Sequence, residues 1–364
     1  MKRLAPWTLT AALLTGCASP TTGVGYYWQS VTGHLALMQA ARPVDDWIAD
    51  SQTPEALRRK LETARQIRAF ASAQLGLPDN ASYHRYADLK RRAAVYNVVA
   101  APAFSLTLQT WCFPVVGCVG YRGYYDETQA QAFAASLPKD LEIAVYPVPA
   151  YSTLGWMNWA GGDPLLNTFI GYPEGELARL VFHELAHQVL YVKDDTTFNE
   201  SFATAVERLG GQRWLAQAGD PVRQAYEQFD SRRRAFRALT LDTRQQLQAL
   251  YADGSLAGGD RAARKAQILA GFRQRYEVLK QGWSGFAGYD AWVAQANNAS
   301  FGAQAAYDQW VPAFEALFEQ QGQDFARFYD AVRALARQPR AERETRLQAL
   351  LPAGPATQMT ARQP

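Results

Sequence analysis

The sequence predicts a mainly α-helical α+β protein, in which a small mixed or antiparallel sheet is wrapped by helices. Three observations predict it. Apolar residues recur at helical spacing over most of the chain, as in Leu57, Leu61, Ala64, Ile67 and Phe70. Two stretches, 104–108 and 141–146, alternate like strands. Hydrophobic residues make up 48% and charged residues 20% of the 364, the composition of a packed globular chain and not of a disordered one.

At the front, Met1-Lys2-Arg3 is basic, an apolar run reaches Leu14, and Thr15-Gly16-Cys17 follows. A basic start, a short apolar middle and a small-residue cleavage site make a secretory signal, too short to span a membrane. Leu14-Thr15-Gly16-Cys17 also resembles the bacterial lipobox. That resemblance implies a lipoprotein signal peptide over 1–16, lipidation of Cys17, and a tether over 17–25. Ala18 follows the cysteine where Asp does not, which by the same resemblance points to the periplasmic side of the outer membrane. Buried acyl chains contribute about 0.8 kcal/mol per methylene, so a multiply acylated cysteine holds its chain at the envelope membrane. No later stretch is long and apolar enough to span. Residues 26–352 are therefore expected to form one domain on that leash.

Within this domain, 26–100 reads as helical, with a break at Pro78-Asp79-Asn80. Residues 101–172 read as mixed, with a helix over 127–137 between the two strands. Cys112 and Cys118 fall here. An oxidising compartment lets them pair, and intervening Pro114 and Gly117 permit a tight loop. Residues 173–210 hold two helices. The stretch 211–352 is helical again, interrupted at Gly254, at Gly258-Gly259 and at Trp283-Ser284-Gly285, and 353–364 reads as a disordered tail. Net charge is +3. The densest basic run, Arg232-Arg233-Arg234, points three ways round a helix, so it reads as solvated surface and not as a nucleic-acid stripe.

The helix opened by Pro173 carries the chemistry. Glu174 and Glu176 suit its first turn. Ala178, Phe182, Leu185, Val189 and Val192 make a buried stripe. Another side carries His183-Glu184-Leu185-Ala186-His187, the H-E-x-x-H pattern. Residues i and i+4 stand one above the other on a helix, so both imidazoles can reach one metal ion. Glu184 sits between them and can accept a proton from a metal-activated water without being a ligand.

Catalytic zinc usually takes three protein ligands. The remaining histidines, His34 and His84, have no partner at ligand spacing, so a carboxylate is the better third ligand. Glu200, in Phe198-Asn199-Glu200-Ser201-Phe202-Ala203, fits best. The stretch 192–197 reads as a polar turn, with a new helix starting near Asn199. Glu200, Ala203 and Glu207 then share one face. Ala203 lets the two helices approach, and Glu207 can orient a ligand from behind. Asp194 and Asp195 are rival ligands or turn caps. Trp156 and Trp159, beside the run from Ala150 through Tyr151 to Gly155, line a cleft or fill a core; the spacing does not choose. Tyr151 and Tyr191 are rival phenol donors for an oxyanion.

Several motifs now stand together: the lipobox, Trp111-Cys112-Phe113-Pro114 with Gly117-Cys118, Tyr121-Arg122-Gly123-Tyr124-Tyr125, Ala150-Tyr151-Ser152-Thr153-Leu154-Gly155-Trp156, His183 to Gln188, Phe198 to Ala203, and Asn297-Asn298-Ala299. In combination they resemble the bacterial family labelled "putative aminopeptidase", from about Tyr26 into the C-terminal helices. The paired H-E-x-x-H and N-E-x-x-A motifs are also similar to lethal-factor-like zinc peptidases. These resemblances imply a zincin-like catalytic core, Zn2+ held by His183, His187 and Glu200, and a peptide substrate. An aminopeptidase holds the substrate's α-amine with an acidic group. The G-A-M-E-N type of motif is absent, and Glu207 and Asp163 are the candidates. The alternatives are a zinc endopeptidase of the envelope and a non-catalytic envelope lipoprotein with a vestigial metal site. Glu184 speaks against the last, since a binding-only site needs no base.

Overall fold

The computed structural model describes residues 23–113, 117–150, 152–155, 158–305 and 309–351. The signal segment with Cys17, the phenol candidate Tyr151, Trp156 and the C-terminal tail lie outside the described residues. The fold is mainly helical α+β with small sheets, as the sequence predicts.

Helix α1 (Gly23–Ala40) takes in the last residues of the expected tether. It is followed by strand β1 (Arg42–Pro43), α2 (Val44–Ala49) and α3 (Glu55–Leu75). Helix α3 buries the apolar stripe read from the sequence, Leu61, Ala64, Ile67 and Phe70, and stops at Gly76, whose φ of 61° is the left-handed conformation that favours glycine. Strand β2 (Arg85–Ala87) pairs with β1.

The helical expectation for 26–100 fails at its end, where β3 (Val95–Pro102) forms. This strand is covered on both faces and flanked by alanines. Apart from Asn97 it therefore reads as an apolar run without the period-2 signal that marks a half-buried strand. The expected strand at 104–108 does not form. That segment instead lays Leu108 against helix α10 (Asn298–Ala305), where Gly302 leaves room for it. Strands β4 (Trp111–Phe113) and β5 (Gly117–Val119) make a hairpin, in which Cys112 and Cys118 are cross-strand partners joined by a disulfide. Strand β6 (Arg122–Tyr124), helix α4 (Glu127–Ser136), capped by Asp126, and β7 (Leu141–Val148) follow.

The order β6-β3-β7 is antiparallel throughout. One face, with Val98 and Tyr124, packs on Ala130 and Phe133 of α4. The opposite face divides. Val99, Ala101 and Ala144 meet Ala299 of helix α10, while Val95, Asn97 and Val148 face the candidate site. Strand β8 (Leu165–Leu166), just before the H-E-x-x-H helix, is fully buried beside β2 and is no open edge for a peptide.

Helices α5 (Glu174–Val189) and α6 (Thr196–Leu215) pack against each other in the largest core, which also takes α3, α11 (Val311–Gln320), α12 (Phe325–Ala336) and α13 (Arg340–Leu350). Phe198 and Phe202 of α6 sit among Phe314, Phe328 and Tyr329. The paired helices α7 (Asp220–Ala252) and α8 (Gly258–Gln281) form a second core around Phe236, Phe272 and Tyr276 with α9 (Asp290–Ala294) and α10 (Asn298–Ala305). Asn298 is fully buried. It ties α10 to the sheet by donating to the carbonyls of Pro102 and Ala103, both at 2.9 Å. Asn297 donates to Ile143 O at 2.9 Å. The basic run differs from its expected solvated state at one position: Arg233 donates to Glu176 at 2.6 Å and to Asp230 at 2.8 Å, so it joins α7 to α5.

Asp195 is a structural keystone and not a ligand. It caps α6 by accepting from Phe198 N at 3.1 Å, and it accepts from Arg343 Nε of α13 at 3.1 Å, with both side chains 5% exposed. Asp195→Ala removes a cap, about 1 kcal/mol, and leaves a buried guanidinium unpaired, about 3–5 kcal/mol. Urea unfolding should show a loss of at least about 3 kcal/mol, and Asp195→Asn, which keeps the capping oxygen, should lose less. A change under about 1 kcal/mol for the alanine variant would remove Asp195 from this role.

Candidate metal centre

Helix α5 ends at Val189, so Val192, the last residue of the expected stripe, lies beyond the helix, and so does Tyr191. The chain turns there because Asn199 of α6 clamps it: Asn199 Nδ2 donates to Val192 O at 2.7 Å, and Val192 N donates to Asn199 Oδ1 at 2.8 Å. This clamp sets the start of α6 and brings the next residue, Glu200, over α5. Two glycines deepen the contact. A Cβ on Gly210 would fall 2.6 Å from Leu75 and 3.0 Å from Phe182, and one on Gly211 3.0 Å from Arg179.

The result is a convergence of three donor atoms. His183 Nε2 and His187 Nε2 are 3.2 Å apart. Glu200 Oε2 is 3.3 Å from the first and 3.7 Å from the second. A tetrahedral ion with bonds of about 2.0–2.1 Å holds its donors about 3.3–3.4 Å apart. These three residues therefore match the edge lengths of such a site and can hold a metal ion.

The electrostatics agree. Burial works against the His183 imidazolium, but its hydrogen bonds to Glu200 and Glu207 and the charges of Glu207 and Glu184 outweigh that, and its pKa stands well above the ordinary value. Burial also works against the Glu200 carboxylate. The charge of His187 and the bonds from both histidines prevail, and its pKa falls to about 2. Glu184 shifts the other way. Burial, reinforced by Glu200 and Glu207 against the two histidines, raises its pKa. Two acids one step from each other are thus pushed apart, one to stay ionised and one to take up protons more readily.

Behind the ligands lies a support that only part of the sequence reading found. Glu207 accepts from His183 Nδ1 at 2.8 Å, which turns Nε2 toward the other donors. Arg179 donates to Glu207 and reaches the Tyr226 hydroxyl at 3.3 Å. Glu207 is therefore a positioning residue on the far side of His183. Gln188, next to His187, is clamped in turn: Asn80 donates to it at 2.7 Å, and it donates to Ser82 Oγ at 3.1 Å. Asp163 belongs to this clamp and not to the cleft. It is 1% exposed and accepts from Thr153 N at 3.0 and 3.1 Å. Burial, outweighing the Thr153 bonds, raises its pKa to about 6. It holds the 152–155 loop.

A cleft of about 310 Å³ adjoins the three donors. Its floor is the sheet face with Val95, Asn97 and Val148. Tyr26 and Ser30 of α1 and Ser152 and Leu154 of the loop form walls, and Phe113 and Val119 of the hairpin another. The hairpin is fastened by Cys118 N donating to Asp194 Oδ1 at 2.6 Å, beside Gly117, whose φ of 77° brings the backbone against that carboxylate. Asp194 is thus an anchor for the hairpin, not a ligand. Of the phenols, Tyr191 and Tyr121 line the cleft near Glu200. Burial, with Glu200 next, pushes Tyr191 up to about 12, so it stays a protonated donor. Trp159 is 83% exposed. Tyr226 and the Asn80–Ser82 clamp escape a reading of the sequence because no local spacing links them to the histidines, and Arg179, one turn before His183, has the spacing but shows its role only through the shared partner Glu207. Tyr121 stands in one of the motifs that carry the family resemblance, with no cue to the face it presents, and Asn97 lies in the stretch expected to be helical, so nothing marked it as a cleft residue.

A family model described as "Putative aminopeptidase" matches residues 25–347, and the chain belongs to that family. Comparison with curated proteins and with solved structures finds no match.

Glu207→Gln should retain the fold yet weaken metal affinity by about 10–100-fold, because the partner that fixes His183 loses its charge. Competition with a chromogenic chelator measures this. Unchanged affinity would show that His183 needs no such orientation.

Proposed function

We propose that the protein is a zinc-dependent peptidase of the bacterial cell envelope. The observation that carries this reading is the meeting of His183, His187 and Glu200 within 4.8 Å, with Glu184, a part-buried carboxyl of raised pKa, on the same helix turn. Two imidazoles and one carboxylate are a donor set suited to zinc, and the family supports a peptide substrate. When bound, the ion supplies Lewis-acid polarisation of the scissile carbonyl and lowers the pKa of water toward about 7. Glu184 accepts the proton of the attacking water as its oxygen bonds the carbonyl carbon. It then delivers that proton to the departing amine as the C–N bond breaks. Glu200 remains ionised throughout and Glu207 holds His183 in place. Tyr191 and Tyr121, which line the cleft near Glu200, would donate to a developing oxyanion. Tyr151, the other candidate, lies outside the described residues, and its sequence neighbours Ala150 and Ser152 line the cleft. Lipidation of Cys17 would hold this soluble catalytic domain at the periplasmic face of the outer membrane.

Two modes of cleavage fit this chemistry. The family name favours release of N-terminal residues. The cleft favours internal cleavage: among the described residues its only carboxylates are Glu184 and Glu200, both already engaged, and neither Glu207 nor Asp163 reaches it. An α-amine taken out of water needs a carboxylate partner.

Glu184→Gln should bind the metal at one equivalent and lose hydrolysis by on the order of 10²–10⁴-fold. Loss of the metal, or turnover within about twofold of the parent, contradicts the assigned role. Cleavage mode is read by mass spectrometry of a mixed peptide library, free and N-acetylated. Stepwise trimming of the free set alone makes it an aminopeptidase. Equal internal cleavage of both sets makes it an endopeptidase.

A further inference from the structure

Exposed apolar side chains are concentrated on one helix. Of the eight exposed large hydrophobics among the described residues, four lie on α1: Tyr27 at 45%, Trp28 at 70%, Val31 at 55% and Leu35 at 50%. Their spacing, 27/28, 31 and 35, makes one stripe along the helix. The stripe has no charged border on its own element, because the eighteen residues of α1 include no Asp, Glu, Lys or Arg. Helices that face water carry charge on the open side. Exposed Trp and Tyr are typical of surfaces that meet an apolar phase with one side wet.

The stripe cannot turn inward, because the other side of α1 is fixed. Leu37 is 1% exposed. Gln29 Oε1 accepts from Tyr125 N at 3.2 Å. Gly33 lies under the Tyr125 ring, where a Cβ would sit 2.3 Å from the ring carbon. No helix of the described residues is long and apolar enough to cross a membrane, so a lipid contact by α1 is one of lying flat.

We propose that α1 is an interfacial helix that lays Tyr27, Trp28, Val31 and Leu35 into the phospholipid surface beside the anchor. The position of the bilayer rests on the reading of Cys17 as lipidated. Cys17 precedes Gly23 by six residues, a span of at most about 20 Å. The anchor thus brings lipid within reach of the stripe, whose apolar and uncharged character suits insertion below headgroups over attraction to them. Tyr26 and Ser30, the adjoining side of the same helix, line the catalytic cleft. Docking would therefore hold the cleft within about one helix diameter, ~10 Å, of the membrane.

The test uses the full chain with Cys17→Ala, which carries no acyl group, floated with vesicles of phosphatidylethanolamine and phosphatidylcholine. A second chain adds Val31→Glu and Leu35→Glu, both at exposed positions, and a third adds Trp28→Ser. Circular dichroism and metal content should match among the three. The Cys17→Ala chain should float, the double glutamate should float at least about tenfold less, and Trp28→Ser should fall between. Adding phosphatidylglycerol or salt should change little, since the contact is apolar. No flotation of the Cys17→Ala chain, or equal flotation of all three, overturns the proposal. So does a dimer in sedimentation velocity that the glutamates dissolve while vesicles capture nothing, which would assign the stripe to a second copy. Incorporation of labelled palmitate into the unaltered chain reads the anchor by itself. Labelled Cys17 with no flotation sinks the docking of α1 alone.

Discussion

Two imidazoles one turn apart on a helix define a line, and a third donor must come from elsewhere to close a metal site. Here that donor comes from α6, so everything depends on the depth at which α6 meets α5. Buried Ala203 and Gly210 with Gly211 let the helices approach. Asn199 closes the turn between them through both polar groups of Val192. The aromatic group around Phe202 and Phe314 presses α6 down from the far side. A shift of α6 by one residue would move its side chains by about 100° and carry Glu200 away from the histidines.

The same contact creates an electrostatic burden. Glu184, Glu200 and Glu207 are brought together largely out of water, and Arg179 pairs with Glu207 from behind. The raised pKa of His183 expresses this excess of negative charge. A divalent cation at the three donors would answer the same excess and displace the proton, so binding should couple to proton release. The far end of the Arg179 line is also held: Tyr226, Asp230 and Arg233 on α7 link back to Glu176 in the first turn of α5. Helix α7 thus supports the site without approaching it.

What could be read in the sequence follows from what is local. His183, Glu184 and His187 share one helical turn. Glu200 and Glu207 share one face of the next helix. Those spacings survive any tertiary arrangement, so the donors and their support were legible. The Arg179–Tyr226 line was not, because it spans 47 residues and exists only once α7 packs on α5. Strand β3 was misread for the opposite reason: its covering on both faces removes the alternation that distinguishes a strand from a helix. Asp194 and Asp195 offered the right chemistry for ligands, yet backbone N–H groups and Arg343 claim them. A carboxylate near a metal motif is only a ligand if no cap or cation needs it more.

The site therefore has two halves built on different terms. The metal half is held by rigid, buried helices and a chain of charge partners. The substrate half is assembled from four segments: α1, the β4–β5 hairpin, the 152–155 loop and one face of β6-β3-β7. Asp163 bonds the loop, Asp194 and the disulfide hold the hairpin, and Gln29 ties α1 to Tyr125. Hydrolysis asks for fixed donors, whereas the shape of the cleft decides which chain can lie across them. Because α1 belongs to both the cleft wall and the apolar stripe, the surface that meets substrate and the surface that faces outward share one rigid element.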